Sequence, residues 1–307
     1  MIFVDLHAHT TLSTGDGYGP PKEHVKRLVE LGRTHACFTE HGNVSSWVAL
    51  EKECLANELE PVFGIEAYIG KEGERRKTHM ILLAMNEVGL QNINRIVTQS
   101  WKQFYQFPTV YMKDLKRWNE GVIALSGCAD SALSCTLLGG KYFGEKKLVA
   151  DKADFNRALG GIKWFQDVFG DRYYIEVQRF PSLDRTCALN PIFAKLSRHA
   201  GAQLVSTSDT HYPYPNQNAL QRILHASHRG GTIETADADW EYDILLTYPE
   251  SDKEIFRDMK DTGLTREEAI ASVENTAIIA RRCDGVRLPR MTSPKYIEGQ
   301  GDWEDWQ

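Results

Sequence analysis

Two histidines one residue apart, His7 and His9, follow a short apolar run near the start of the chain, in "VDLHAHTTLSTGDGYGP". In an extended segment, residues i and i+2 point to the same side, so both imidazoles can face one ion. A carboxylate, Asp16, follows in a loop of Thr, Ser and Gly. Similar residues recur further along, at or just after apolar runs: His41 in "CFTEHGN", Glu66 in "FGIEAYIG", Cys128 in "ALSGC", and Asp209 with His211 in "VSTSDTH". His79 is the exception, because it precedes an apolar run. It reaches the others only from a loop or from a strand running the opposite way. Imidazoles and carboxylates together suit Zn, Mn or Fe, and a thiolate shifts the preference toward Zn or Fe. These donors are too many for one tetrahedral ion and match two or three divalent ions sharing bridging carboxylates. Clustered divalent ions polarise a phosphoryl group and generate hydroxide at neutral pH, which is hydrolase chemistry. The other histidines (His24, His35, His199, His225 and His228) lie in helix or surface contexts and read as ordinary polar residues.

Such donors need elements that bring them to one place. Strand-like runs fall at 2–6, 36–39, 61–69, 80–85, 122–125, 173–177 and 203–206. Amphipathic stretches lie between most of them, at 21–31, 44–57, 88–102, 151–169 and 183–199. Alternating strand and helix predicts a parallel sheet or barrel, and this number of strands favours barrel-like closure. In a barrel the C-terminal strand ends converge on one rim, where active sites sit. Residues 1–235 read as the barrel. Residues 236–292 read as a helical C-terminal extension packed on it, with helices at 252–259 and 265–282, the second capped by Thr265 and Glu268. The acidic tail 293–307, containing Trp303 and Trp306, reads as mobile.

The bulk composition narrows the class. With 307 residues, 42% hydrophobic, 25% charged and a net charge of -6, the chain reads as a soluble globular protein rather than a nucleic-acid coat protein. No run approaches the roughly 18 apolar residues of a membrane span. The N-terminus carries no basic stretch leading into an apolar segment, so a cytoplasmic location is expected. Six scattered cysteines without a C-x-x-C pair read as free thiols.

The motifs "DLHAHTTLSTGDG", "FTEHGN", "GIEAYIG", "THMILLAMNEVGLQNI", "ALSGC", "YYIEVQRF" and "VSTSDTHY" resemble, in order and approximate spacing, the polymerase and histidinol phosphatase (PHP) domain family. They are most similar to the version at the N-terminus of bacterial DNA polymerase III alpha subunits. The resemblance runs from residue 2 to about 223 and continues more weakly into "ASVENTAIIARRCDGVRLP". It implies a distorted seven-stranded (β/α)7, TIM-like α/β barrel with a trinuclear metal centre and phosphoesterase chemistry. The metal ligands it implies are His7, His9, Asp16, His41, Glu66, His79, Cys128, Asp209 and His211, with Glu66, His9 and Asp209 as catalytic candidates. One ion is expected on His7, His9, Glu66 and Asp209, and Glu66 bridges to a second held by His79 and Cys128. Asp16, His41 and His211 hold the third. Glu40 stands where the family usually has Asp, so a side chain next to the ligands reaches one methylene further. No aspartate-rich polymerase palm motif follows in these residues, and polymerisation by that mechanism is not expected of them.

The expected activity is therefore a stand-alone metal-dependent phosphodiesterase, foremost a 3′–5′ exonuclease on DNA. A phosphomonoesterase of the histidinol-phosphatase type and a non-catalytic module binding a replication partner are the rival readings. Arg75, Arg76 and Lys77 in "KEGERRKTH", and Arg179 in "EVQRF", are candidates to contact substrate phosphate. A solvated loop, and an ion pair of Arg179 with Glu176, are their ordinary roles. Phe104, Tyr105 and Phe107 can stack on bases or belong to the core.

Overall fold

A computed structural model describes residues 2–139, 148–234 and 244–290. The expected boundary at 235/236 and the tail 293–307 lie outside the described residues. The strands are β1 (His35–Phe38), β2 (Glu60–Ile69), β3 (Thr78–Ala84), β4 (Thr109–Val110), β5 (Val122–Leu125), β6 (Tyr173–Gln178) and β7 (Gln203–Thr207). They form one seven-stranded sheet in the order β1-β2-β3-β5-β6-β7, with β4 beside the end of β2. β3 runs antiparallel to β2 and β5, and the other neighbours are parallel. The reversed β3 brings its first residues, and with them His79, to the end of the barrel where the parallel strands finish.

Outside the sheet lie α1 (Pro21–Glu30), α2 (Trp47–Ala56), α3 (Glu87–Lys102), α4 (Met112–Arg117), α5 (Ala132–Leu138), α6 (Lys152–Phe169) and α7 (Asp184–Ala200). After β7 come α8 (Asn218–His228), α9 (Asp252–Asp261) and α10 (Arg266–Arg282). Local chemistry sets their ends. Pro21 opens α1, where a missing N–H costs little. Asn86 caps α3 by accepting from the Gly89 N–H. Thr265 and Glu268 form the expected reciprocal box at the start of α10. The short helices α4 and α5 carry too few periodic apolar positions to be legible in the sequence, and α8 was not read there either.

The run 2–6 was expected as the first strand, and here the structure differs. Residues 2–9 fill the slot between β7 and β1 without forming a ladder with either. The Thr39 N–H donates to the Ala8 carbonyl at 2.8 Å, and the His9 N–H to the Thr210 carbonyl at 2.7 Å. Further back, side chains satisfy the backbone: the Val4 N–H donates to Thr276 Oγ1 at 3.0 Å, and Arg33 donates to the Phe3 carbonyl at 3.0 Å. A segment whose partners are side chains from distant elements is extended but not a regular strand.

Strand alternation separates two cores. Outward residues of β2, such as Phe63 and Ile65, pack under the helices. Inward residues, including Val62, Ile81, Leu83, Ile123, Leu125 and Val205, fill the barrel together with Val4 and Leu6. Ile279, Ala280 and Cys283 of α10 join that interior cluster. Burying a side chain such as Ile279 contributes about 1.5–3 kcal/mol, so α10 plugs the floor of the barrel. All six cysteines are free thiols, as expected. No helix among the described residues is long and apolar enough to cross a membrane.

Two predictions follow from this packing. Thr276→Val keeps the shape but leaves the buried Val4 N–H without an acceptor, so urea unfolding should show a loss of about 1–3 kcal/mol. His24 is buried in α1, with its ring nitrogens on the Tyr248 hydroxyl and the Tyr18 carbonyl, both at 2.9 Å. Burial is the main cause that pushes its pKa down, from 6.5 to about 4. Between those values the unfolded chain binds the extra proton, so stability falls as pH drops through that window, by about 3 kcal/mol in all. The slope of urea midpoint against pH should flatten there in His24→Gln.

Candidate metal centre

Glu66 is the third inward residue of β2 counted from Val62, on the same face and paired in register with Ile81. Below it the face is apolar; at its level the interior turns polar. His79, two residues before Ile81 on β3, shares that inward side, and its Nδ1 lies 3.0 Å from Glu66 Oε1. The Cys128 sulfur, just after β5, is 3.5 Å from that nitrogen and 3.7 Å from Glu66 Oε1. His41, just beyond β1, bridges to Glu66 and puts Nδ1 at 2.6 Å from Oε2. From the N-terminal segment, His7 Nε2 lies 3.3 Å from Glu66 Oε1 and 3.2 Å from Asp209 Oδ1. His9 Nε2 is 3.1 Å from His7 Nε2 and 3.4 Å from Glu66 Oε2. Asp16 returns on its loop to place Oδ2 at 2.6 Å from His41 Nε2 and 3.1 Å from His211 Nε2. The structure thus brings together every residue expected as a metal ligand.

Their neighbours fix ring orientation. The Glu176 carboxylate faces His7 Nδ1 at 2.8 Å and also accepts from Thr207 Oγ1. A carboxylate only accepts, so in the neutral ring the proton sits on Nδ1 and the Nε2 lone pair points into the centre. His9 is set by a longer relay. Glu40 accepts from Thr10 Oγ1 at 2.6 Å and from Ser13 Oγ at 2.5 Å, and Ser13 Oγ lies 2.9 Å from His9 Nδ1. With the Ser13 proton given to Glu40, His9 Nδ1–H donates to Ser13 and frees Nε2. The added methylene of Glu40 carries its carboxylate onto both hydroxyls. Asp209 has a left-handed backbone, φ 47°, a conformation that costs energy and clusters at functional sites. Asp5 holds the turn from both sides, accepting from the Ser208 N–H at 3.1 Å and from Thr210 Oγ1 at 2.6 Å. Gln178 donates to Asp209 Oδ2 at 2.9 Å.

The electrostatics show what the donor set fits. Burial pushes the Glu66 carboxyl up, but His79, His41 and His7 together outweigh it and hold it well below the usual range. Burial likewise opposes the drop at Asp16, which His211, His225 and His41 drive. In return, and against burial, Asp209, Glu176 and Glu66 raise His7, while Asp16 and Asp209 raise His211 to about 9. His9 goes the other way, lowered by burial and by the positive rings of His41 and His211. Burial is also the main cause of the raised Cys128 thiol, with Glu66 adding to it. The ion pairs of Glu66, Asp16 and Asp209 among the described residues are with histidines alone. His41 Nδ1 and Glu66 Oε2 are buried, close, and without a hydrogen bond. Lone pairs that converge in this way, with orphaned donors among them, fit divalent cations. The sets His7–His9–Glu66, His9–His41–His211 and His41–Glu66–His79 each bring one donor atom apiece within 4.8 Å of one another.

His225 was read as an ordinary polar residue, and the structure corrects that reading. It is buried, and its Nε2 bonds Asp16 Oδ1 directly. His228, on the same helix, packs its ring over Gly15, where an added Cβ would fall 2.4 Å from it. Helix α8 therefore covers the Asp16 loop. With the partners 209 positions apart in the chain, no local spacing announces the contact. The other three stay outside the cluster: His24 in the core, His35 on Asp284, and His199 on the Lys195 carbonyl.

The candidate phosphate contacts divide. Arg75 donates to Gln106 at 3.3 Å, and Lys77 bonds the Glu74 carbonyl, both in the loop that leads into His79. Arg76 is exposed in the same loop. Arg179 is buried and turned away, with its guanidinium on Glu254 at 2.9 Å and Asp258 at 3.3 Å. Glu176, its expected ion-pair partner, faces inward to His7 instead.

The chain is 28% identical over 304 residues to the DNA polymerase III subunit alpha of Campylobacter jejuni, covering 96% of this chain and 24% of the relative. It is 27% identical over 308 residues to the DNA polymerase III subunit alpha of Borreliella burgdorferi, covering 96% of this chain and 25% of that one. The chain thus spans about a quarter of the length of these curated relatives. Among solved structures, an amidohydrolase from Chromobacterium violaceum overlays with a TM-score of 0.43 at 14% identity, over 68% of this chain and 87% of that one. The PHP domain matches residues 5–180, from the segment that carries His7 to just past the end of β6. With more than half of its length inside that match, the chain belongs to the PHP domain family.

Proposed function

We propose that the chain is a metal-dependent phosphoesterase that cleaves phosphodiester bonds, foremost as a 3′–5′ exonuclease on DNA. One observation carries the reading: imidazole, carboxylate and thiol donors from the ends of separate strands converge, lone pairs inward, on one barrel rim. The similarity to DNA polymerase III alpha subunits supports nucleic acid as the substrate class.

Two to three divalent ions, Zn, Mn or Fe, fit the donors. His7, His9, Glu66 and Asp209 would hold one; Glu66, His79 and Cys128 a second; Asp16, His41 and His211 a third. Bound there, they supply Lewis acidity toward the phosphoryl oxygens and hydroxide at neutral pH. The chain's own residues do the positioning. Glu176 keeps His7 in one tautomer, and Glu40 does the same for His9 through Ser13. His225 fixes the second oxygen of Asp16, so the first is left to His41 and His211. Asp5 and Gln178 hold Asp209 at its strained backbone position. Arg75 and Arg76 give the rim a basic edge, at a loop that also carries Glu72 and Glu74, while Lys77 is buried on the Glu74 carbonyl.

Purified with Mn or Zn, the protein should shorten 5′-labelled single-stranded DNA stepwise and hydrolyse bis-p-nitrophenyl phosphate. EDTA and His9→Ala should each abolish both activities. Release of product from p-nitrophenyl phosphate alone would overturn the diesterase reading in favour of a monoesterase. Inactivity on every substrate, with no metal found by elemental analysis, would favour a binding module. Ser13→Ala and Glu40→Gln should leave the fold intact and lower metal affinity or activity about 10- to 100-fold, the usual cost of losing a group that orients a ligand.

A further inference from the structure

All four aromatic side chains that are strongly exposed among the described residues lie within one short stretch: Trp101 (52%), Phe104 (53%), Tyr105 (44%) and Phe107 (41%). Exposed rings scattered singly need no explanation, but a contiguous group marks a contact surface. This group abuts the metal centre. Tyr68 stacks on the ring of His41 at 5.9 Å between centroids and meets Phe107 at 4.8 Å. The Trp101 indole N–H donates to the carbonyl of Gly42, the residue after His41, at 3.0 Å. Phe104 stacks on Trp101 at 5.7 Å with 18° between the planes.

The backbone that presents these rings is specified. Gln106 has φ 64°, left-handed for a residue with a side chain, and the Tyr105 N–H closes the turn onto the Phe107 carbonyl at 3.1 Å. Gln106 accepts from Arg75, and Lys77 lies 5.8 Å from the centroid of Tyr105. A chain of net charge -6 thus places the exposed Arg75, with the buried Lys77 behind it, beside the one group of strongly exposed rings among the described residues.

We propose that this ridge is a stacking platform for unpaired nucleotides, on which bases lie against Phe104, Tyr105 and Phe107 while the phosphate backbone passes along the basic loop into the metal centre. Rings bind single strands because every base has a π-face, and neighbouring cations neutralise the phosphates. A folded protein partner would need the apolar area but not the rings. The platform deepens the phosphodiesterase reading and rests on it for the direction of the strand, but its test does not depend on hydrolysis.

The probe is a fluorescent oligothymidylate of about ten nucleotides, within the ~4–16-nucleotide span of stacking sites. Anisotropy is measured with the whole chain carrying His9→Ala, so that the probe survives. Added Phe104→Leu or Tyr105→Leu keeps apolar bulk and removes the ring, and each should weaken binding at least about 5-fold, the low end of the loss per stacked base. Phe104→Trp should bind like the parent. Leu variants that bind the oligonucleotide as tightly as the parent overturn the platform, whatever the hydrolysis result. Ring-dependent binding by a chain inert toward the small diester keeps the platform and rejects the phosphodiesterase reading instead.

Discussion

One buried carboxylate organises the upper half of this barrel. Glu66 is 1% exposed, and His7, His9, His41 and His79 all come within 3.4 Å of its oxygens. An isolated carboxylate in an apolar interior neutralises rather than remain charged. Glu66 stays charged only because imidazoles from several strand ends stand around it. The same crowding keeps those rings from settling as ordinary hydrogen-bonded histidines.

The apolar half below makes the arrangement possible. Val62, Ile81, Leu125 and Val205 close-pack the interior, and α10 seals it with Ile279, Ala280 and Cys283. With the floor rigid, strand register translates directly into the height of each inward residue. Glu66 and Ile81 are cross-strand partners, and so are Tyr68 and His79. A slip of one residue in β2 would turn Glu66 out under the helices and bring Ile65 into the polar layer. The metal-capable donors are therefore only as well placed as the apolar layers beneath them.

A second ring of residues decides how the donors point. Glu176, the Glu40–Ser13 relay, Asp5, Gln178 and His225 each contact a donor or its turn by a hydrogen bond. These groups reduce the freedom of the donors before any ion is present. Preorganisation of this kind is what separates a cluster of polar residues from a site that holds a defined geometry. The aromatic ridge beside His41 extends the same surface outward, from the buried centre toward solvent.

Much of this was legible in the sequence. Donor types, their recurrence at apolar runs, six of the strands and the cap of α10 follow from local rules of alternation, hydrogen bonding and chain stiffness. Even the direction of β3 was constrained, since His79 could join the others only from a reversed strand or a loop. The segment 2–6 was misread as a strand because its apolar pattern is strand-like, whereas its backbone partners are side chains such as Thr276 and Arg33. His225 and the pairing of Arg179 with Glu254 and Asp258 were likewise hidden. The reason is physical. Periodicity reports which face of an element a residue occupies, and composition reports what chemistry it can do. Which distant side chain answers it depends on how the elements pack, and that was decided only by the tertiary structure.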